Sequence, residues 1–347
     1  MEEAGVRILF TSSEMAVVGL TEVLSRLATV TRAYLRLKSL LRTDRPALLI
    51  LMDYPDFNLR LARAAKRFRV PVLYYISPQV WAWRKGRVET IRRYVDRMAV
   101  ILPFEQDFYR ERRLPVEYVG HPLLEEIPAD LDRDTARAAL GLQQAGPVIA
   151  LLPGSRKEEV TNLLPLMIEG AKKIRSKYEN LKCLLPRAST VPSGLIEGLL
   201  KKSSLEIQVT QGDVYRVLKA SDMALVASGT ATLEAAILEV PMIIVYRVSF
   251  FSYWIGRMVI RVPSIGLVNL VAGEDVVPEL IQGDVTPERL AREAIDILEQ
   301  GDKRSAMLKK LRALREKLGQ GRASEKTARI ALEMIEASST GAEITGR

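Results

Sequence analysis

Short apolar runs alternate with longer amphipathic stretches along this chain. In the first part the runs are residues 47–52, 72–76, 98–102 and 116–119. Each is apolar almost throughout and too short for a buried helix, so each predicts a parallel strand covered on both faces. A second series follows at residues 148–152, 183–185, 207–209, 223–226 and 242–246, separated by helical patterns such as residues 162–177. Strand and helix in steady alternation predict the α/β class, with two parallel sheets wrapped by helices. Between the two series lies a stretch with Pro128, Asp130, Asp132 and Asp134, which reads as a connection. The expected division is residues 1–145, 146–323 and 324–347, the last being a C-terminal helix that returns to the first domain and a tail. Thr286 before Pro287 supplies an N-cap and an N1 proline for a helix with Leu290, Ala294, Ile297 and Leu298 on one face, closed by Gly301. Further helices are expected at residues 304–318 and 324–337, with a disordered tail over 338–347.

The chain's 347 residues are enough for two cores. Cys183 and His121 are the single cysteine and histidine, so disulfides and multi-ligand Cys/His zinc sites are excluded. A general base must then be that histidine, a carboxylate, or a perturbed Lys, Tyr or Cys. Glu234, Glu239, Arg247 and Arg257 interrupt the most apolar regions, which argues against a spanning helix, and the N-terminus does not read as a signal peptide. A net charge of +9 fits anionic partners, and equally a generically basic, soluble surface. No reader motif for nucleic acid is present, so none is expected as a partner.

Ligands of open parallel sheets bind outside the carboxyl ends of the strands, so the residues after each run carry the candidate chemistry. Gly154-Ser155-Arg156 and Ser228-Gly229-Thr230 each follow a strand and open a helix, where backbone N–H groups and the helix dipole favour phosphate. Tight turns and helix caps would use the same residues. Neither loop fits the Walker A or the dinucleotide fingerprint, which removes support for ATP hydrolysis and NAD chemistry. Asp53, at the end of an apolar run, is expected to be partly desolvated and so suited to act as a base, or else to cap a helix. Glu105 and His121 hold comparable but weaker positions. Two stretches mix apolar and basic residues: residues 14–42, and residues 250–255 with Arg247, Arg257 and Arg261. They read as membrane-facing surfaces or as core helices with solvated basic faces.

Several segments stand together in order: Asp53-Tyr-Pro-Asp-Phe-Asn58, Ser77-Pro-Gln-Val-Trp-Ala-Trp-Arg84, Leu102-Pro-Phe-Glu105, Val119-Gly-His-Pro122, Leu152-Pro-Gly-Ser-Arg156, Ala227-Ser-Gly-Thr-Ala-Thr-Leu-Glu234 and Leu267-Val-Asn-Leu-Val-Ala-Gly273. Over residues 6–337 this set resembles the lipid-A-disaccharide synthase family. The resemblance implies a glycosyltransferase-B architecture, two Rossmann-like parallel-sheet domains facing a central cleft. It implies an inverting transfer of 2,3-diacylglucosamine from UDP to 2,3-diacylglucosamine 1-phosphate (lipid X), giving a β-1,6 disaccharide 1-phosphate and UDP. On that basis Asp53 is the base, and Gly154, Ser155, Arg156, Ser228, Gly229 and Thr230 hold the diphosphate. Glu234 contacts the ribose, Asn269 lies on the nucleotide side, and His121, Ser77 and Trp81 line the substrate site. No cofactor or metal is implied, because Arg156 and the helix termini supply positive charge. The place of action is the cytoplasm, peripheral on the cytoplasmic face of the inner membrane, with the membrane surface as partner and the first domain on the acceptor side. Family members begin with a strand, a Gly-Glu-x-Ser-Gly-Asp loop and a helix ahead of the segment that starts here at Val6, roughly 50 residues in all, more than the about 30 of a βαβ unit. A start assigned too late is the expected explanation; the alternative is a truncated, inactive remnant that binds UDP or membrane surfaces.

Overall fold

The computed structural model describes residues 2–11, 23–83, 86–143, 146–248 and 264–344. The chain forms two compact units, Met1–Val119 together with Ala323–Arg347, and Gly120–Arg322.

The first unit holds a parallel sheet of β1 (Leu49–Met52), β2 (Val72–Tyr75), β3 (Arg97–Val100) and β4 (Val116–Tyr118), in that spatial order. β2 is buried along its whole length, as a central strand with both faces covered must be, whereas edge strand β1 buries only Leu51. Helices Pro55–Arg67, Arg87–Tyr94 and Pro103–Arg110 make the crossovers. The first of these begins with proline and an acidic residue and ends with Lys66 and Arg67, which complements the helix dipole at both ends. Its apolar face, with helix Val23–Thr43, builds one core. On the other side, Ala323, Ile330 and Ala331 of the C-terminal helix Ala323–Ile344 pack on Leu73, Tyr75, Ala99 and Val119. Arg97 ties that helix to the sheet, binding both Glu117 (3.0 Å) and Glu333 (2.7 Å).

The second unit is a six-stranded, all-parallel sheet: β5 (Val148–Leu152), β6 (Lys182–Arg187), β7 (Ile207–Gln211), β8 (Met223–Ala227), β9 (Met242–Tyr246) and β10 (Glu279–Ile281), ordered β10-β9-β8-β5-β6-β7. The order reverses between β5 and β8, whose registers pair Leu152 with Val226. Helix Lys157–Arg175 follows β5 and packs on Pro287–Glu299. Gly170 allows that close approach, since a Cβ there would stand 3.1 Å from Leu290 Cβ.

Four details differ from the expectations. The first unit ends at Val119, not near Ala145, because helix Arg133–Ala139 is bound to the second unit through Asp222, which also accepts from Val148 N. Arg137 donates to Asp222 (2.8 Å) and to Ala220 O (3.0 Å), contacts between residues more than 80 positions apart that no local pattern announces. Gly301 opens helix Gly301–Lys317 instead of closing the helix before it, and the C-terminal helix runs to Ile344 where a disordered tail was expected from Ser338. β10 lacks an apolar run and was not anticipated. Of the two apolar-basic stretches, residues 12–22 and 249–263 lie outside the described residues. No described helix is long and apolar enough to cross a membrane.

Candidate active site

In the second unit, the loops after β5 and β8 leave neighbouring strands at the same carboxyl edge, where the strand order reverses. That crevice is the general ligand position of open α/β sheets. The two loops are not equivalent. After β5, Gly154 takes φ +110°, and a Cβ there would fall 2.3 Å from Glu159 Oε2. Glu159 folds back onto the loop: its carboxylate accepts from the amides of Ser155 (3.1 Å) and Arg156 (3.2 Å) and from Arg156 Nη1 (2.6 Å). The expectation of free amides at Ser155 and Arg156 is therefore corrected. The loop is a cradle for an anion, and the chain's own carboxylate sits in it. The reason is spacing, since a Glu at the third helical position reaches back to the cap. Arg156 itself is highly exposed, its side chain 80% accessible.

The loop after β8 is open. Ser228 is spent on structure, its N–H donating to Val245 O (3.0 Å) and its hydroxyl to Ile265 O (3.2 Å). Gly229 is extended, and nothing lies within 4 Å of a Cβ built on it. Helix Thr230–Ile237 has no side-chain cap, and the amides of Gly229, Thr230 and Ala231 meet no acceptor among the described residues. These first-turn N–H groups remain for an anion. On the same helix, half-buried Glu234 has its pKa raised by burial and then by the carboxylate of Glu126. Tyr215 donates to Glu126 (3.4 Å), and its hydroxyl is pushed up to about 12 by burial and by both carboxylates. Glu126, Tyr215 and Glu234 thus form one polar cluster.

Two further residues are placed differently from the expectations. Asn269 is buried and uses its whole carboxamide internally: Nδ2 donates to Val277 O (2.9 Å) and Glu279 (2.8 Å), while Oδ1 accepts from Val276 N (2.8 Å) and Val277 N (3.0 Å). No capacity remains for a nucleotide, so here it is a scaffold residue. His121 is 5% exposed, its Nδ1 accepting from Leu123 N (3.2 Å). Burial pushes its pKa down to about 4, so near neutrality the ring is uncharged and carries its proton on Nε2.

In the first unit, β1 ends in two consecutive left-handed residues, Asp53 (φ 48°) and Tyr54 (φ 41°), before Pro55. Non-glycine residues rarely adopt this conformation, and the surroundings must hold it. Buried Asn58 donates to the carbonyls of Met52 (2.9 Å) and Asp53 (2.6 Å), and the Tyr74 hydroxyl donates to Asp53 O (2.6 Å). The backbone of Asp53 is clamped while its side chain is exposed, so the expected desolvation is absent. β2 ends the same way: Ile76 has φ 61°, a strained value for a β-branched residue. Ser77 and Trp81 follow, both buried and both committed to internal bonds. Ser77 Oγ lies 2.7 Å from Tyr109 Oη, and Trp81 Nε1 donates to Glu105 Oε1 (3.0 Å). Glu105 also accepts from Leu102 N (3.2 Å), and burial pushes its pKa up to about 7.

Sequence reasoning overlooked Glu159: a Glu at the third helical position is half of a capping box, but Arg156 stands where the signature has Ser or Thr. It also overlooked Glu126 and Tyr215, for which no local signal existed, and Asn58 and Tyr74 as the clamp on Asp53.

The family model described as lipid-A-disaccharide synthetase matches residues 1–334. The lipid-A-disaccharide synthase of Geobacter sulfurreducens is 48% identical over 335 residues, covering 96% of this chain and 87% of its own. That of Syntrophus aciditrophicus is 49% identical over 339 residues, covering 97% and 88%. Among solved structures, the UDP-GlcNAc 2-epimerase of Neisseria meningitidis bound to UDP-GlcNAc superposes with a TM-score of 0.63 at 14% identity, covering 91% of this chain and 84% of that one, a likeness of fold alone. On the strength of a match along nearly its whole length, the chain belongs to the lipid-A-disaccharide synthase family.

Proposed function

We propose that the chain transfers 2,3-diacylglucosamine from UDP to the 6-hydroxyl of 2,3-diacylglucosamine 1-phosphate, releasing UDP, at the cytoplasmic face of the inner membrane. Besides the family, the observation that carries this reading is the pair of glycine loops flanking the strand reversal of the second sheet, one with open helix amides and one with an exposed arginine. In a single displacement the acceptor oxygen attacks the anomeric carbon, the bond to UDP breaks, and the configuration inverts. Negative charge then builds on the leaving diphosphate, and the amides of Gly229 and Thr230 with the guanidinium of Arg156 are assigned to stabilise it. Glu234 is assigned to the ribose hydroxyls. Asp53 is assigned to take the acceptor's proton, its backbone clamp fixing the direction from which the carboxylate is offered. Ser77 and Trp81 are assigned to the wall of the substrate site, and Asn269 to holding the loop before β10.

Asp53→Asn provides the test. Disaccharide formation from UDP-diacylglucosamine and the acceptor should fall at least about 10²-fold, the low end for a general base, while UDP binding by calorimetry stays unchanged. Full turnover in this variant would remove Asp53 from the role.

A further inference from the structure

The net charge of the chain is concentrated on one helix pair. Helices Val23–Thr43 and Pro55–Arg67 carry nine Lys and Arg against a single acidic residue, Asp56, a net of +8 where the whole 347-residue chain has +9. A charge kept only for solubility would be spread with both signs interspersed. Between these helices and Arg87–Tyr94 lies an open groove of about 760 Å³ lined by Lys38, Arg60, Arg63, Lys66, Arg67 and Arg93. Lys66 pairs with Asp96; the other five form no contact ion pair among the described residues. Such crowding of like charge opposes folding unless an external anion relieves it.

We infer that this face docks the enzyme on anionic phospholipid headgroups. The inference rests on the reading that the enzyme works at a membrane surface, and adds which face meets that surface and by what chemistry. Headgroup phosphates match this cluster of cations, and guanidinium forks bind phosphate oxygens two at a time. Leu35, on the same basic helix, is 57% exposed and adds apolar surface for the interface. A nucleic acid would need free aromatic faces for stacking. Both aromatic rings lining the groove are already engaged: Tyr34 meets Phe57 edge-to-face at 6.3 Å, and the Arg93 guanidinium lies over Tyr94 at 5.6 Å. The groove residues are separate from the proposed transfer residues, so the two roles can be tested apart.

The test is co-sedimentation of the full chain with vesicles of phosphatidylcholine alone or mixed with phosphatidylglycerol, at low and high salt. The wild type should bind only the mixed vesicles, and less at high salt. Arg60→Gln/Arg63→Gln/Arg67→Gln should weaken that binding by at least about tenfold, with UDP binding and turnover on detergent-dispersed substrates unchanged. Arg63→Glu alone is the second variant should the triple one fold poorly, and it should lose binding in the same direction. As a control, Lys201→Gln/Lys202→Gln removes charge from exposed positions of the second unit and should bind as the wild type does. A wild type that ignores the mixed vesicles overturns both this inference and the surface reading. Equal binding by wild type and groove variants, or an equal loss in the control, overturns the inference alone. So does displacement from the vesicles by a double-stranded DNA oligomer.

Discussion

At the scale of single residues, two carboxylates decide more than their positions in the sequence suggest. Glu159 fills the cradle of the Gly154 loop and neutralises Arg156, and any diphosphate that binds there must compete with it. Glu159→Gln keeps an acceptor near the amides and removes the negative charge. Because Arg156 is exposed, the pair is worth little, so UDP affinity measured by calorimetry should rise by only roughly two- to fivefold. A drop in affinity would instead show that the loop needs the full carboxylate to hold its shape. Glu105 offers a pH signature. Its pKa in the folded chain, about 7, is raised from the ordinary 4.5 by burial. Below the ordinary value both folded and unfolded chains hold the proton. As pH rises, the unfolded chain releases it first, so stability is lost up to the folded pKa, by about 3 kcal/mol at 1.36 kcal/mol per unit. Melting curves of Glu105→Gln should therefore approach the wild type at low pH and exceed it increasingly toward pH 8.

At the scale of elements, hidden polar bonds and one returning helix support the site. The loop preceding β10 is held by Asn269, which satisfies the amides of Val276 and Val277 and a carboxylate oxygen of Glu279. Glu279 in turn accepts from the amides of Ile265 and Gly266. Asn269→Ala leaves several buried groups unpaired and should cost about 2–4 kcal/mol in denaturant unfolding; a variant of wild-type stability that fails only in UDP binding would return Asn269 to the nucleotide. The C-terminal helix covers the sheet of the first unit through Ile330, 1% exposed. Ile330→Ala should cost about 2–5 kcal/mol, read by the same measurement.

At the scale of the whole molecule, most of the architecture was legible. Nine of the ten described strands stand where short apolar runs predicted them, most plainly β2, β5 and β8, which are buried along their whole length and have little room for polar residues. β10 was missed since its three residues begin with Glu279 and show no run. The two glycine loops were legible from their place after strands, and their neighbourhood follows from the strand order that brings β5 beside β8. The sequence by itself determined the fold class, the family, the loops that present helix amides, and the concentration of charge on one helix pair. These properties reside in residues close along the chain, where periodicity and turn chemistry act. Tertiary structure alone decided that Asp53 is clamped yet exposed, that Asn269 is spent on scaffold, and that helix Arg133–Ala139 belongs with the second unit. Each of these depends on which partner a side chain or loop meets once the chain has folded. Burial and hydrogen bonding depend on orientation and exact distance in space, and spacing along a chain does not set either.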